Sequence, residues 1–169
     1  ASLQIRNAAA TGNGANGIAI GNVEAAGDAS LLVNHVAVAL NGQNGILFEN
    51  HAAAAGTGAA QAIFVEVAAS GNASNGVLVM GHGASALQGD AELSLRAILA
   101  SENGGAGIVI GGNGAATLDG DAVAYFDSLA ADHNGGSGLA IGGNGAESEN
   151  GNAGISLQEA EKALILKTL

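Results

Sequence analysis

The chain repeats itself every 31 residues. Gly58, Gly89, Gly120 and Gly151 are spaced by 31, and each is followed two residues later by an alanine: Ala60, Ala91, Ala122 and Ala153. Gly27 and Ala29 extend the series backwards at the same spacing. A second marker, Gly45, Gly76, Gly107 and Gly138, keeps the period, but its first copy, Gly17, precedes Gly45 by only 28. The first coil is therefore three residues short, and the alignment puts the gap after Ile20. A chain that returns to the same place at a fixed interval of this length stacks each segment on its own copy, as solenoids do.

Aligned on that period, the columns alternate as strands do. Ile18, Ile46, Val77, Ile108 and Leu139 follow the second glycine, and Ile20, Phe48, Val79, Ile110 and Ile141 come two residues later. An earlier strand carries Leu3, Leu31, Ala62, Leu93, Ala124 and Ile155, then Ile5, Val33, Phe64, Leu95, Phe126 and Leu157. A period of two marks a strand with one buried face. A third, alanine-rich segment runs through Ala53, Ala84, Ala115 and Ala146, and Gly-rich turns join the three. Stacking like on like makes the strands parallel. The expected fold is all-β: a parallel β-solenoid of about five coils.

Composition fits a narrow, layered core. Hydrophobic residues make up 48% of the chain but aromatics only 2%, and there are 29 Gly and no Pro, Cys or Trp. A wide globular core needs more large side chains. The net charge of −11, with four Lys and Arg in total, excludes phosphate-backbone binding and so nucleic acid as a partner. No apolar run is long enough to insert in a membrane as a helix, and no signal-peptide pattern opens the sequence. The absence of Pro points to strong compositional selection, by a repeat fold or by a designer.

One polar column stands out. Asn13, Asn41, Asn72, Asn103 and Asn134 precede the second strand in successive coils. Asparagine tolerates the left-handed conformation of a sharp bend, and stacked amides can bond the coils above and below. These residues are expected to form an inter-coil ladder within a turn.

The segments Asn13-Gly14-Ala15-Asn16-Gly17-Ile18, Asn41-Gly42-Gln43-Asn44-Gly45-Ile46 and Asn72-Ala73-Ser74-Asn75-Gly76-Val77 resemble the repeats of right-handed parallel β-helix proteins, the pectate-lyase-like class. The likeness covers residues 1 to about 158. It implies right-handed winding, in keeping with the usual hand of parallel crossovers. It also implies an extracellular or cell-surface setting and, for the enzymes of that class, chemistry on acidic polysaccharides.

Candidate chemistry is thin. His35, Glu66, Arg96 and Asp127 fall on neighbouring coils of the first strand and would form one polar patch. An acid–base reading is weighed against an exposed ion-pair ladder of Glu66, Arg96 and Asp127, which is preferred. Asp28, Asp90 and Asp121 share a turn column that Ala59 interrupts and Asn152 ends, with Asp119 nearby. Asp90, Asp119 and Asp121 are the candidates for calcium, the one cofactor considered. Gly111-Gly112-Asn113-Gly114 is similar to calcium-binding toxin repeats, but Ala116 stands where those need Asp. His51 and His82 share a column without a third ligand and are expected as solvent-facing turn residues. Outward Leu32 and Ile63, and Leu47, Leu78 and Val109, form either a contact surface or a face covered by a loop.

Residues 1–157 are thus read as coils, and 158–169 as a capping segment of the same domain, helix or strand. The expected role is non-catalytic: a structural or binding segment of a bacterial surface or secreted repeat protein, or an engineered scaffold. The alternative is a carbohydrate-active enzyme or polysaccharide-binding module. Expected partners are a second copy, through the N-terminal edge or the outward apolar columns, or a polysaccharide.

Overall fold

A computed structural model describes residues 1–158, and the expected capping segment from residue 159 onward lies outside them. Ser2–Thr11 (β1), Ile18–Ile20 (β2) and Glu24–Ala25 (β3) form the first coil. The second coil is Ala29–Ala39 (β4), Ile46–Phe48 (β5) and Ala53–Ala55 (β6). Ala60–Ser70 (β7), Val77–Val79 (β8) and Ala84–Gln88 (β9) form the third. Ala91–Ser101 (β10), Ile108–Ile110 (β11) and Ala115–Asp119 (β12) form the fourth. The fifth is Ala122–Asp132 (β13), Leu139–Ile141 (β14) and Ala146–Ser148 (β15), and Ala153–Gln158 (β16) opens a sixth. Every third strand pairs with its counterpart, in parallel throughout. The result is a six-stranded sheet beginning at β1 and two five-stranded sheets containing β2 and β3. The chain is a parallel β-solenoid.

The expected columns are the observed register. Leu31 pairs with Ala62 and Val33 with Phe64, and in later coils Leu93 pairs with Ala124 and Leu95 with Phe126. All point inward and are buried. Volume is balanced within each rung: Phe64 and Phe126 each share theirs with an alanine, whereas Leu93 shares its own with Leu95. A core one side chain deep accepts a large residue only where its neighbour is small. Phe48 and Phe64 meet edge to face, centroids 5.9 Å apart, and link two sheets across the interior.

The short first coil is trimmed in two places. β1 and β2 pair with the next coil at an offset of 28, but Glu24 pairs with Ala54 at 30, and Ala29 with Ala60 at the full 31. Two residues are missing between Ile20 and Glu24 and one more before Ala29. The single gap read from the alignment is corrected to this split, since β3 must regain register with β6 before the turn ends.

Each long strand also bends in its middle, which periodicity did not reveal. Asn7, His35, Glu66, Ala97 and Ser128 all have positive φ, between 50 and 54°. The inward parity shifts there: Val33 and Val36 are both buried, three residues apart. A second left-handed column, Gly12, Leu40, Gly71, Glu102 and His133, ends the strand. It lies one residue before the asparagine ladder. The left-handed residue at that bend is therefore the one preceding each Asn, and the Asn itself is not left-handed.

Candidate functional site

The asparagine column forms the predicted ladder, and it has a direction. The Nδ2 of Asn41 donates to Asn72 Oδ1 at 2.8 Å, Asn72 to Asn103 at 2.8 Å and Asn103 to Asn134 at 2.9 Å. Each receiving oxygen also accepts the backbone N–H of the preceding Asn. The second amide hydrogen goes to a strand carbonyl: that of Val38 from Asn72, and of Ala69 from Asn103. Asn72 and Asn103 are each only 1% exposed, and every hydrogen-bonding atom of their side chains is matched. The marker glycine leaves room for this. A Cβ on Gly76 would stand 2.6 Å from the Gly107 carbonyl oxygen and 3.0 Å from Asn103 Nδ2.

Three further ladders use the same device. Asn16, Asn44 and Asn75 form one of opposite polarity: Asn44 N–H and Nδ2 donate back to Asn16 Oδ1, and Asn75 to Asn44. The sequence signal was there, as Asn-x-x-Asn-Gly in three coils, but only its first Asn was singled out. His51 and His82 head another. His82 N–H donates to His51 Nδ1 at 3.0 Å, Asn113 N–H to His82 Nδ1 at 2.8 Å, and Asn144 N–H to Asn113 Oδ1 at 2.8 Å. The two imidazoles are half-buried and stacked, so they are not solvent-facing turn residues as expected. Burial, then the neighbouring His82, holds the His51 pKa below its ordinary value, against an opposing pull from Glu24.

The aspartate column forms the last ladder. Asp28 Oδ1 accepts from Ala59 N–H, Asp90 Oδ1 from Asp121 N–H and Asp121 Oδ1 from Asn152 N–H, each at 2.9 Å. Asp119 accepts from Asn150 Nδ2 at 2.7 Å. The three calcium candidates thus each hold a protein donor. Among the described residues, no three acidic, His or Cys side chains are grouped as metal ligands would be.

The expected polar patch lies along the left-handed corner of the long sheet. His35 Nε2 contacts the Glu66 carboxylate, and both side chains are exposed. The ion-pair ladder of Glu66, Arg96 and Asp127 is not formed. Arg96 Nε donates to Ser94 on its own strand at 3.0 Å, and Asp127 accepts from Ser128. The side chains diverge because Glu66 sits on the corner column, whereas Arg96 and Asp127 belong to the column before it. The outward Leu32, Ile63, Leu47, Leu78 and Val109 are half-buried.

A concave surface runs along the outside of the β3-containing sheet. Its floor is one column, Glu24, Ala54, Ser85, Ala116 and Glu147. The histidine ladder forms one wall, and Leu87 and Leu118 rise on the other side. Two grooves of about 560 and 300 Å³ follow each other here, sharing Ser85 and Leu87. Because each Nδ1 accepts a backbone N–H, the neutral rings carry their proton on Nε2. An Nε2–H can donate to a ligand but cannot take a proton from Ser85. The groove thus offers hydrogen-bond donors, a small-residue floor and a carboxylate at each end, without a general base of the Ser–His type.

The ladders and the winding together define a parallel β-solenoid repeat protein with an asparagine stack. Comparisons with protein-family models, with curated proteins and with solved structures gave no match.

Proposed function

We propose that this chain is a non-catalytic solenoid with a structural or binding role. One observation carries the reading: in the histidine and aspartate columns, side chains that could act as bases or metal ligands each commit an accepting atom to a backbone N–H of the neighbouring coil. His51, His82, Asp90 and Asp121 are all used this way. An acid–base site needs such atoms free and converging on a substrate. Exposure to polygalacturonate should give no product. Turnover that vanishes in Arg96→Ala or Asp127→Ala would overturn the reading and make the corner patch an active site.

The groove supports a second reading, that of a polysaccharide-binding module. Its floor of small residues runs along the solenoid axis, so an extended chain would cross one coil about every 4.8 Å. Titration with linear oligosaccharides tests it: binding should be lost when Ser85→Leu fills the floor, and saturable binding that survives this change would place the ligand elsewhere. We further assign the winding as right-handed, as in the pectate-lyase-like class, and the setting as extracellular or cell-surface, on the acidic, Cys-free composition.

A further inference from the structure

The groove beside the histidine ladder carries a charge as well as a shape. Glu24 and Glu147 stand at opposite ends of its floor column, and Glu149 lines it near Glu147. Four coil steps separate Glu24 from Glu147, about 19 Å at the usual strand spacing. Both carboxylates are steadied through Oε2: Glu24 by Asn22 Nδ2, and Glu147 by the Nδ2 of Asn113 and Asn144. Among the described residues nothing donates to Oε1 of either. No Lys or Arg lines the groove, and the Arg side chains of the described residues, Arg6 and Arg96, belong to β1 and β10 of the long sheet. The potential along the groove is therefore negative.

The uncharged groups narrow the ligand further. His51 and His82 accept through Nδ1 and so offer Nε2–H donors, and Ser85 adds a hydroxyl. Leu87 and Leu118 form an exposed apolar wall. Under the floor, β6, β9 and β12 are inner strands paired on both sides, which leaves no edge for the main-chain bonds of an extended peptide. A ligand here must bring acceptors for the imidazole N–H groups, donors for the carboxylates and an apolar face for the leucines. The groove opens sideways, across the stacking direction, so further coils would lengthen it and not close it.

Resting on the polysaccharide-binding reading above, we propose that the groove takes a linear amino-sugar polysaccharide, a cationic chain of the glucosamine type. Its hydroxyl and ring oxygens accept from His51 and His82, and its ammonium groups donate to Glu24 and Glu147. The C–H faces of its rings lie against Leu87 and Leu118. An ammonium on every unit lets the chain meet both carboxylates without an exact match between its repeat and the coil spacing. A uronate chain would set its own carboxylates against those of the groove, and a simple polyamine would leave the imidazole donors without acceptors.

Calorimetric titration of the whole chain tests the proposal, with oligomers of glucosamine, of N-acetylglucosamine and of galacturonate, and with spermine. The glucosamine oligomer should bind saturably, about tenfold or more tighter than the other three, and more weakly as salt is added. Glu24→Gln and Glu147→Gln should each weaken it by roughly three- to tenfold. Glu102→Gln, the same change just beyond β10 and away from the groove, should leave it unaltered. Melting temperatures measured alongside separate a lost contact from a lost fold. Tighter binding of the neutral or the uronate oligomer, abolished by Ser85→Leu, would keep the groove as a polysaccharide site and overturn its cationic ligand. Equal binding of spermine, or indifference to both Glu→Gln changes, would also overturn the proposal. Absence of binding by every oligomer would remove the polysaccharide reading with it.

Discussion

His51 and His82 lie ring on ring, their centroids 5.1 Å apart and their planes within 5° of parallel. Each Nδ1 receives a backbone N–H from the coil that follows. For His51 this geometry favours the neutral imidazole, since a protonated Nδ1 would face the His82 N–H donor and burial disfavours the charge.

Stability should therefore depend on pH through His51. Its folded-state pKa lies below the ordinary value because burial and His82 disfavour the charged form. Under acid the unfolded chain binds a proton that the folded chain resists. The contribution is complete above about pH 6.5, where the unfolded imidazole is neutral, and is lost as pH falls through the lowered folded pKa. The melting temperature of the wild type should drop on going from pH 8 to pH 5. His51→Asn should flatten that slope, since Asn113 already accepts through Oδ1 in this column. A slope unchanged by the substitution would remove His51 as its source.

Asn72→Ala should cost about 1–3 kcal/mol, because it strands buried backbone and amide groups that have no other partner. Those bonds run to Asn41, Asn103 and Val38. Asn50→Ala, on an exposed turn, should cost far less. Denaturant unfolding of the two variants compares them directly, and equal, negligible effects would mean that the ladder contributes nothing.

Leu40 holds a φ of 55° with its side chain 69% exposed, and Ala97 holds a φ of 50°. Non-glycine residues in this region cost about 1–2 kcal/mol each. Glycine relieves that cost but adds freedom to the unfolded chain. Leu40→Gly and Ala97→Gly should each raise stability by a net of roughly 0.5–1 kcal/mol, or a few degrees in melting temperature for a chain of this size. Gly71→Ala, at φ 62° in the same column as Leu40, should lower it. Thermal melts of the three variants decide the sign.

Millimolar calcium should leave the melting temperature unchanged, because Asp90 and Asp121 each commit Oδ1 to a backbone N–H and, among the described residues, no third acidic or His side chain is grouped with them. Asp121→Asn should be near neutral, as Asn152 occupies the next position of this column. An increase of several degrees with calcium, lost in Asp121→Asn, would show an ion at these carboxylates, since a ligand of the folded state alone stabilises it by mass action.

Much of the fold was legible because a solenoid writes its register into the sequence. Column identity and inward alternation are local and repeated, so Leu31, Ala62, Leu93 and Ala124 could be stacked from spacing alone, and the Asn13 to Asn134 ladder with them. The candidate site was less legible. The His51 and His82 column was visible, but that each ring accepts a backbone N–H depends on where the next coil places its amide. The groove beside it involves Ser85 and Leu87, which carry no motif of their own. The Glu66, Arg96 and Asp127 pairing failed because Glu66 stands on the corner column and the other two on the column before it, and spacing does not fix which way side chains turn at such a corner.

The sequence by itself determined the period, the parallel stacking and the residues that fill the core, because each follows from which side chains recur at 31 residues. Only the tertiary structure decided the left-handed corners, the directions of the ladders and the split trimming of the first coil. The corner column holds Asn, His, Glu, Ala and Ser in turn, with no common side chain. Its conformation is imposed by the closing of the coil against its neighbours, which backbone hydrogen bonds enforce whatever residue stands there. The same holds for ladder direction: an amide can point to either neighbour, and the choice belongs to the backbone donors and carbonyls that surround it once the coils are stacked.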